Sequence, residues 1–286
     1  MAIEFTKMHG LGNDFLLFDA VMGEPLPTVM QWRALSDRHR GIGFDQAVVI
    51  GAPRSADAAA SYRIFNADGG EAEQSGNGAR CAIKLLHRRG LSRAGELSID
   101  TGAGKIQGRV HASGEVSVNM GEPSFDPRAL PFQADAAEAT YTLVLGTERV
   151  EFGAVSMGNP HAVIRVTEID SAPVARLGQA LQAHPRFPRQ VNVGFLQIIN
   201  AGHVRLRVYE RGAGETQACG TGSCAAVAFG RSQGLLQEQV EVQLLGGKLS
   251  VNWPGPGRAL WLTGPAEIAF TGRVELDHRT LHEGSH

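Results

Sequence analysis

Phe65-Asn-Ala-Asp-Gly-Gly-Glu-Ala-Glu-Gln-Ser75-Gly-Asn-Gly-Ala-Arg-Cys-Ala82 and Tyr209-Glu-Arg-Gly-Ala-Gly-Glu-Thr-Gln-Ala-Cys219-Gly-Thr-Gly-Ser-Cys-Ala-Ala226 decide the fold of this chain. They align at an offset of 144 residues with five identities, at Gly70, Glu71, Gly76, Gly78 and Ala82 of the first copy. Each copy opens a helix. The first helix runs from Gly76 or Asn77 to about Arg89, carries His87, Arg88 and Arg89 in its last turn, and stops at Gly90, as C-terminal helix chemistry favours. The second also ends at a glycine, Gly234.

The same order recurs on either side. Gly12-Asn13 meets Gly158-Asn159 at an offset of 146, each followed by an apolar strand, and Gln46 meets Asn192 in the same way. A helix expected over Thr28–Arg38, with Thr28 and Gln31 in capping-box spacing, falls opposite one opening at Val174. Met120-Gly121 meets Thr263-Gly264 at an offset of 143, half the chain length of 286. Between these markers lie short β-rich runs at Ala2–Lys7, Phe15–Asp19, Ala47–Ile50, Ser61–Phe65, Leu97–Asp100, Lys105–Val110 and Val116–Met120. A domain-sized period excludes a solenoid. The expectation is an α/β (α+β) chain of two pseudo-symmetric domains from an internal duplication, each a curved mixed or antiparallel sheet or open barrel around a central helix. Residues 1–119 with 265–286 form one domain and 120–264 the other, the stretch Gly121-Glu-Pro-Ser-Phe-Asp-Pro127 lying at the boundary.

Composition narrows the class. A net charge of −2 lacks the electrostatic footprint of a nucleic-acid binder. Thirty-six glycines in 286 residues exceed the usual share of about 7%. Three cysteines are too few, and odd in number, for a disulfide framework. Glu4 and Lys7 interrupt the start where a secretory signal needs an apolar run, and no stretch reaches the length of a membrane span, so a reducing, cytoplasmic home is expected.

A helix start presents unpaired N–H groups and the positive end of the helix dipole, so it binds an anion without a basic side chain. Gly76 with Gly78, and Gly220 with Gly222, open that backbone to close approach. Neither start has a phosphate-loop or dinucleotide pattern, which favours a carboxylate. Cys219 sits just before the second start, where the helix end is expected to stabilise a thiolate for use as base or nucleophile. Cys81 and Cys224 lie inside helices and read as buried apolar residues, and no metal-ligand spacing accompanies them. His161 and His9 are the histidines beside other glycine turns, with a structural or a chemical role open to either. Two equivalent helix starts suggest two equivalent groups on opposite faces of one carbon, the geometry of a racemase or epimerase.

The motifs Lys7-Met-His-Gly-Leu-Gly-Asn-Asp-Phe15, Gly43-Phe-Asp-Gln46, Phe65-Asn-Ala-Asp-Gly69, Gly76-Asn-Gly-Ala-Arg-Cys81, Gly158-Asn-Pro-His161, Val191-Asn-Val-Gly-Phe195, Tyr209-Glu-Arg-Gly-Ala-Gly-Glu-Thr216 and Ala218-Cys-Gly-Thr-Gly222 closely resemble diaminopimelate epimerases. The resemblance runs in order from near residue 5 to about 270. It implies a cofactor-independent, cytoplasmic enzyme that interconverts LL- and meso-diaminopimelate for lysine and peptidoglycan synthesis, with its active site in the cleft of two pseudo-symmetric domains, and a homodimer. Carried over by position, Cys219 is one acid/base cysteine. Gly76, Asn77, Gly220 and Thr221 hold the reacting α-carboxylate; Asn13, Gln46, Asn66, Asn159, Asn192, Glu210 and Arg211 contact substrate, Arg211 being the fork for the distal carboxylate. His161 and Glu210 tune the cysteines' acidity, and Phe270 falls near an aromatic dimer position.

The chain departs from the family pattern at Ser75, where the resemblance implies the second acid/base cysteine. Serine is a far weaker acid than a thiol and supplies no comparable anion near neutral pH. An engineered Cys→Ser exchange, a natural enzyme with a weakened base and a catalytically silent amino-acid-binding paralogue all accommodate this. A proline racemase-like activity shares the two-cysteine logic, and a thiol hydrolase would instead form an acyl-enzyme at Cys219.

Overall fold

Parallel strand neighbours cannot be joined by a tight turn, so each needs a crossover, and the helices of this chain fall where those crossovers are required. The computed structural model describes residues 2–72, 75–102 and 104–276. In chain order the elements are β1 (Ala2–Gly10), β2 (Asn13–Ala20), α1 (Val29–Ser36), β3 (Gln46–Gly51), β4 (Ala60–Asn66), β5 (Glu71–Ala72), α2 (Gly76–Arg88), β6 (Glu96–Thr101), β7 (Gly104–Val110) and β8 (Val116–Asn119). There follow β9 (Tyr141–Leu145), β10 (Glu148–Ser156), β11 (Pro160–Arg165), α3 (Val174–Gln182), β12 (Asn192–Asn200), β13 (His203–Glu210), β14 (Gly214–Thr216), α4 (Gly220–Ser232), β15 (Gln239–Leu244), β16 (Gly247–Asn252), β17 (Trp261–Gly264) and β18 (Glu267–Glu275). The chain divides into two compact units, one taking the residues up to Val118 and those from Pro265 on, the other Asn119–Gly264. Of the stretch that the sequence gives to the first domain, residues 1, 73, 74, 103 and 277–286 lie outside the described residues.

In the first unit β2 runs parallel to β3 across α1, and β4 parallel to β6 across α2; the β1–β2, β3–β4, β6–β7, β7–β8 and β1–β18 pairs are antiparallel. The second unit repeats this pairing strand for strand. β11 lies parallel to β12 across α3 and β13 parallel to β15 across α4, while β10–β11, β12–β13, β15–β16, β16–β17 and β10–β9 are antiparallel. Even the register is kept: Phe15 pairs with Gln46, and His161, 146 residues on, with Asn192. The short strands that precede the central helices, and the outer strands β9 and β18, are absent from the sequence-level expectation because two- and three-residue strands and exposed edges carry too little periodic signal.

Each central helix is sunk in its own sheet. α2 touches β1, β2 and β3 and also β7, three strands beyond β3 in the pairing, so the open sheet must curl around it. α4 is enclosed by β10 to β13 and by β16 in the same way. Every residue of α4 from Gly220 to Gly230 is buried, as is most of α2. Both helices end alike. Gly90 (φ 78°) and Gly234 (φ 71°) take the left-handed conformation, while the Leu91 and Leu235 N–H groups reach back to the Leu86 and Gly230 carbonyls. On the other sheet face α1, closed by the Thr28/Gln31 capping box, buries Trp32 against Phe18 and stacks it on Phe65 at 5.2 Å. α3 closes the matching aromatic cluster of Phe132, Tyr141, Phe152 and Phe187. Among the described residues no helix is long and apolar enough to cross a membrane.

Glycine lets sheet and helix approach. A Cβ on Gly153 of β10 would stand 2.1 Å from the Phe229 ring of α4, and one on Gly108 of β7 would stand 2.1 Å from Ile83 of α2. Gly153→Ala is therefore expected to destabilise the fold by about 1–3 kcal/mol, the penalty of overpacking a filled core. Urea unfolding checks this, and an unchanged midpoint would refute the close approach.

Candidate active site

The two helix starts are built alike and furnished differently. Ser75, extended at φ −144°, caps α2 by accepting the Gly78 N–H on Oγ at 3.2 Å. Cys219, extended at φ −117°, caps α4 by accepting the Gly222 N–H on Sγ at 3.3 Å. The cap meets only the third N–H of each helix. The two residues before it, Gly76 and Asn77 or Gly220 and Thr221, are the ones whose N–H groups the sequence points to for a carboxylate.

Around Cys219 the side chains form one directional chain of hydrogen bonds. His161, on β11, stands 3.0 Å through Nε2 from Asn159 Oδ1, and the other end of that amide, Nδ2, donates to Thr221 Oγ1 at 3.2 Å. Thr221 Oγ1 lies 3.6 Å from Cys219 Sγ, and the thiol donates to Glu210 Oε2 at 3.2 Å. The Thr216 hydroxyl donates to the other carboxylate oxygen. With its Nδ2 engaged by Thr221, Asn159 presents only an acceptor to His161, so His161 Nε2 carries the proton and the buried Nδ1 is bare and unpartnered. Burial, reinforced by the Arg211 charge, pushes His161 down to about 3, so it is neutral throughout the physiological range. His161 is thus linked to Cys219 only through Asn159 and Thr221, whereas Glu210 touches the thiol.

The helix end does not win at Cys219. Sequence reasoning expects a thiolate there, yet burial to 4% exposure and then the Glu210 carboxylate push the thiol well above its ordinary value, and the Thr221 and Gly222 hydrogen bonds only partly offset them. The group at rest is a thiol whose proton is already directed at a carboxylate. Cys81 and Cys224 are fully buried, and burial raises Cys81 to about 12, in keeping with the apolar role read for both.

The remaining sequence-selected residues fall into separate groups. Asn77 Nδ2 donates to Asn13 Oδ1 at 3.1 Å. Gln46 Nε2 donates to Asn66 Oδ1 at 2.9 Å, across the β3–β4 register that makes the two direct partners. Asn192 receives the Arg211 backbone N–H on Oδ1 at 2.9 Å and donates to the Pro160 carbonyl. The exposed Arg211 guanidinium is steadied by the Arg189 carbonyl at 3.3 Å. Phe270 belongs to neither helix start; it lies on β18, 49% exposed, edge-on to Phe5. His9 is on β1 opposite Asp14, its Nδ1 buried without a partner. Sequence reasoning missed Thr216, Arg80 and Asp45. Thr216 matches Ala72 and Arg80 matches Cys224 at the repeat offset, so the duplication that exposed the other positions is silent at these.

The family model described as diaminopimelate epimerase matches residues 5–125 and 153–269. Among solved structures, a hydroxyproline epimerase from Agrobacterium vitis superposes with a TM-score of 0.71 at 19% identity, over 97% of this chain and 94% of that one. A probable proline racemase from Agrobacterium radiobacter gives 0.69 at 20% identity over 96% and 93% of the two chains. A phenazine biosynthesis protein of the PhzF family from Bacillus anthracis gives 0.67 at 16% identity over 96% and 100%. At these identities the structural likeness establishes the two-domain fold.

Removing the Glu210 charge removes the second cause of the raised thiol. In Glu210→Gln the Cys219 thiolate is expected to form at lower pH than in the parent, read as the pH midpoint of Cys219 alkylation resolved by peptide mass spectrometry. A midpoint that stays or rises would exclude Glu210 as the group that keeps the thiol protonated.

Proposed function

The chain belongs to the diaminopimelate epimerase family, and from that premise we propose that it is built to interconvert LL- and meso-2,6-diaminopimelate by cofactor-independent proton transfer at the α-carbon. The observation that carries this reading is the hydrogen bond from the Cys219 thiol to Glu210 at the start of α4, a proton donor and its acceptor held beside backbone groups suited to a carboxylate. The two acid/base positions in this reading are Cys219 and position 75.

To act as base, Cys219 passes its proton to Glu210 Oε2 and takes the α-proton on sulfur. To act as acid, it returns the proton from sulfur to the carbanion. The helix-start N–H groups at Gly76, Asn77, Gly220 and Thr221 hold the α-carboxylate whose negative charge grows as the proton leaves. Asn13, Asn66, Asn159, Asn192 and Gln46 orient the reacting end, and Arg211, exposed and steadied by Arg189, takes the distal carboxylate as a fork. The need for a distal partner favours diaminopimelate over proline. The protein works in the cytoplasm as a homodimer, with Phe270 of β18 at the contact.

Ser75 replaces the family's second cysteine and leaves this chain with little activity. Its Oγ accepts the Gly78 N–H, but the residue matching Glu210 is Asn66, whose Oδ1 is already taken by Gln46. Ser75→Cys is expected to epimerise diaminopimelate about 10²–10⁴-fold faster than the chain as it stands, the range that one positioned acid/base group supplies. Loss of optical rotation measures it, and no gain in rate would sink the two-base assignment. Deuterium incorporation at the α-carbon of one epimer separates a one-base enzyme from a silent binder, which gives none.

In the Ser75→Cys background, Arg211→Ala should raise KM for diaminopimelate by about tenfold or more, as expected for losing a charge-assisted pair, while changing kcat much less. An unchanged KM would remove Arg211 from distal carboxylate binding.

A further inference from the structure

Arg80 is wholly buried in the second turn of α2, and its guanidinium folds back onto the start of that helix. Nη2 donates to Asn77 Oδ1 at 2.7 Å, Nη1 to the Gly76 carbonyl at 3.5 Å and Nε to the Pro265 carbonyl at 3.3 Å. A Cβ on Gly10 would stand 3.0 Å from Nη2, so the guanidinium occupies space that a missing side chain leaves open.

An amide is nearly symmetric in shape, and only its partners decide which end is oxygen and which nitrogen. Arg80 can only donate, so it faces Asn77 Oδ1. Asn77 Nδ2 then faces Asn13 Oδ1 at 3.1 Å, and Asn13 Nδ2 must find an acceptor, which is Asp45 Oδ2 at 2.8 Å. That carboxylate is fixed in turn: Arg38 donates to Asp45 Oδ1 at 2.7 Å and forks onto Asp14 at 2.7 and 2.9 Å, and Lys7 pairs with Asp14 at 2.7 Å. Burial would raise Asp14, but Arg38 and Lys7 outweigh it and hold the carboxyl at about 2. The chain therefore has an obligate donor at one end and an obligate acceptor at the other. We propose that Arg80 and the Asp45 carboxylate together lock the Asn77 and Asn13 amides in a single orientation, which makes Arg80 a positioning residue for ligand binding at the start of α2.

The second unit shows why the device is needed on one side only. There the residue matching Asn77 is Thr221, a hydroxyl that turns to suit its partners, the residue matching Arg80 is the buried Cys224, and His161 polarises Asn159 instead. The functional part of the proposal depends on the epimerase reading, and the orientation lock does not.

The lock is tested first without ligand, by ¹⁵N NMR of the Asn13 and Asn77 side-chain amides. These are expected to exchange with water slowly in the parent and at least tenfold faster in Arg80→Met; equal exchange in the two folded proteins overturns the lock. Asn77→Asp, which keeps Arg80 paired if Arg80→Met does not fold, sets an acceptor against Asn13 Oδ1 and should speed exchange or shift the Asn13 amide signal; an undisturbed signal also overturns it. In the Ser75→Cys background, Arg80→Met should raise KM for diaminopimelate by about tenfold, the scale of one well-oriented hydrogen bond to a charged group, with kcat changed much less. Added to Asn77→Ala it should raise KM no further, and multiplying effects would show that Arg80 does not act through Asn77. If Ser75→Cys has no activity on diaminopimelate while the amide exchange behaves as expected, the substrate reading fails and the lock stands.

Discussion

A helix that begins inside a protein carries N–H groups that its own backbone cannot satisfy, and this chain buries two such starts. The side chain before each helix answers the third of these donors. Much of the surrounding structure serves that constraint. The sheets curl so that each start is enclosed, sheet glycines at Gly108 and Gly153 let strand and helix touch, and Schellman turns at Gly90 and Gly234 close the far ends. An anion at such a start is held by backbone, so side chains around it are free to take other chemical roles.

Duplication supplied the frame and divergence supplied the chemistry. Strand pairings, crossovers and even the Phe15–Gln46 and His161–Asn192 registers repeat, yet the matched side chains at the helix starts differ: Asn66 for Glu210, Asn77 for Thr221, Arg80 for Cys224, Phe15 for His161. In one unit hydrogen bonds run from a neutral histidine through an amide and a hydroxyl to a thiol and its carboxylate. In the other they run from a guanidinium through two amides to a carboxylate. The second of these has a fixed direction because a guanidinium can only donate and a carboxylate only accept.

The repeat made much of this legible before any coordinates. Helix starts at Gly76 and Gly220, the cap at Thr28, the glycine stops and the first-half strand runs all have local signals: cap residues, periodicity and glycine at left-handed positions. The short β5 and β14 and the outer β9 and β18 do not, because their existence depends on a neighbour rather than on their own pattern. Thr216, Arg80 and Asp45 escaped for a related reason. None is mirrored across the repeat, and each acquires its role from a side-chain contact that only the fold makes: Thr216 with Glu210 across a hairpin, Asp45 with Asn13, and Arg80 folding back on its own helix.

By itself the sequence determined the duplication, the two helix starts and the residue types offered there, since these follow from spacing and from backbone chemistry that operates over a few neighbours. Only the tertiary structure decided protonation and orientation. A helix N-terminus alone favours a thiolate at Cys219, but burial and the carboxylate of Glu210, nine residues away in sequence and in contact in space, favour the thiol. Likewise no pattern of letters says which end of Asn77 faces Arg80. Solvent exclusion and long-range contact set those energies, and neither exists until the sheet has curled around the helix.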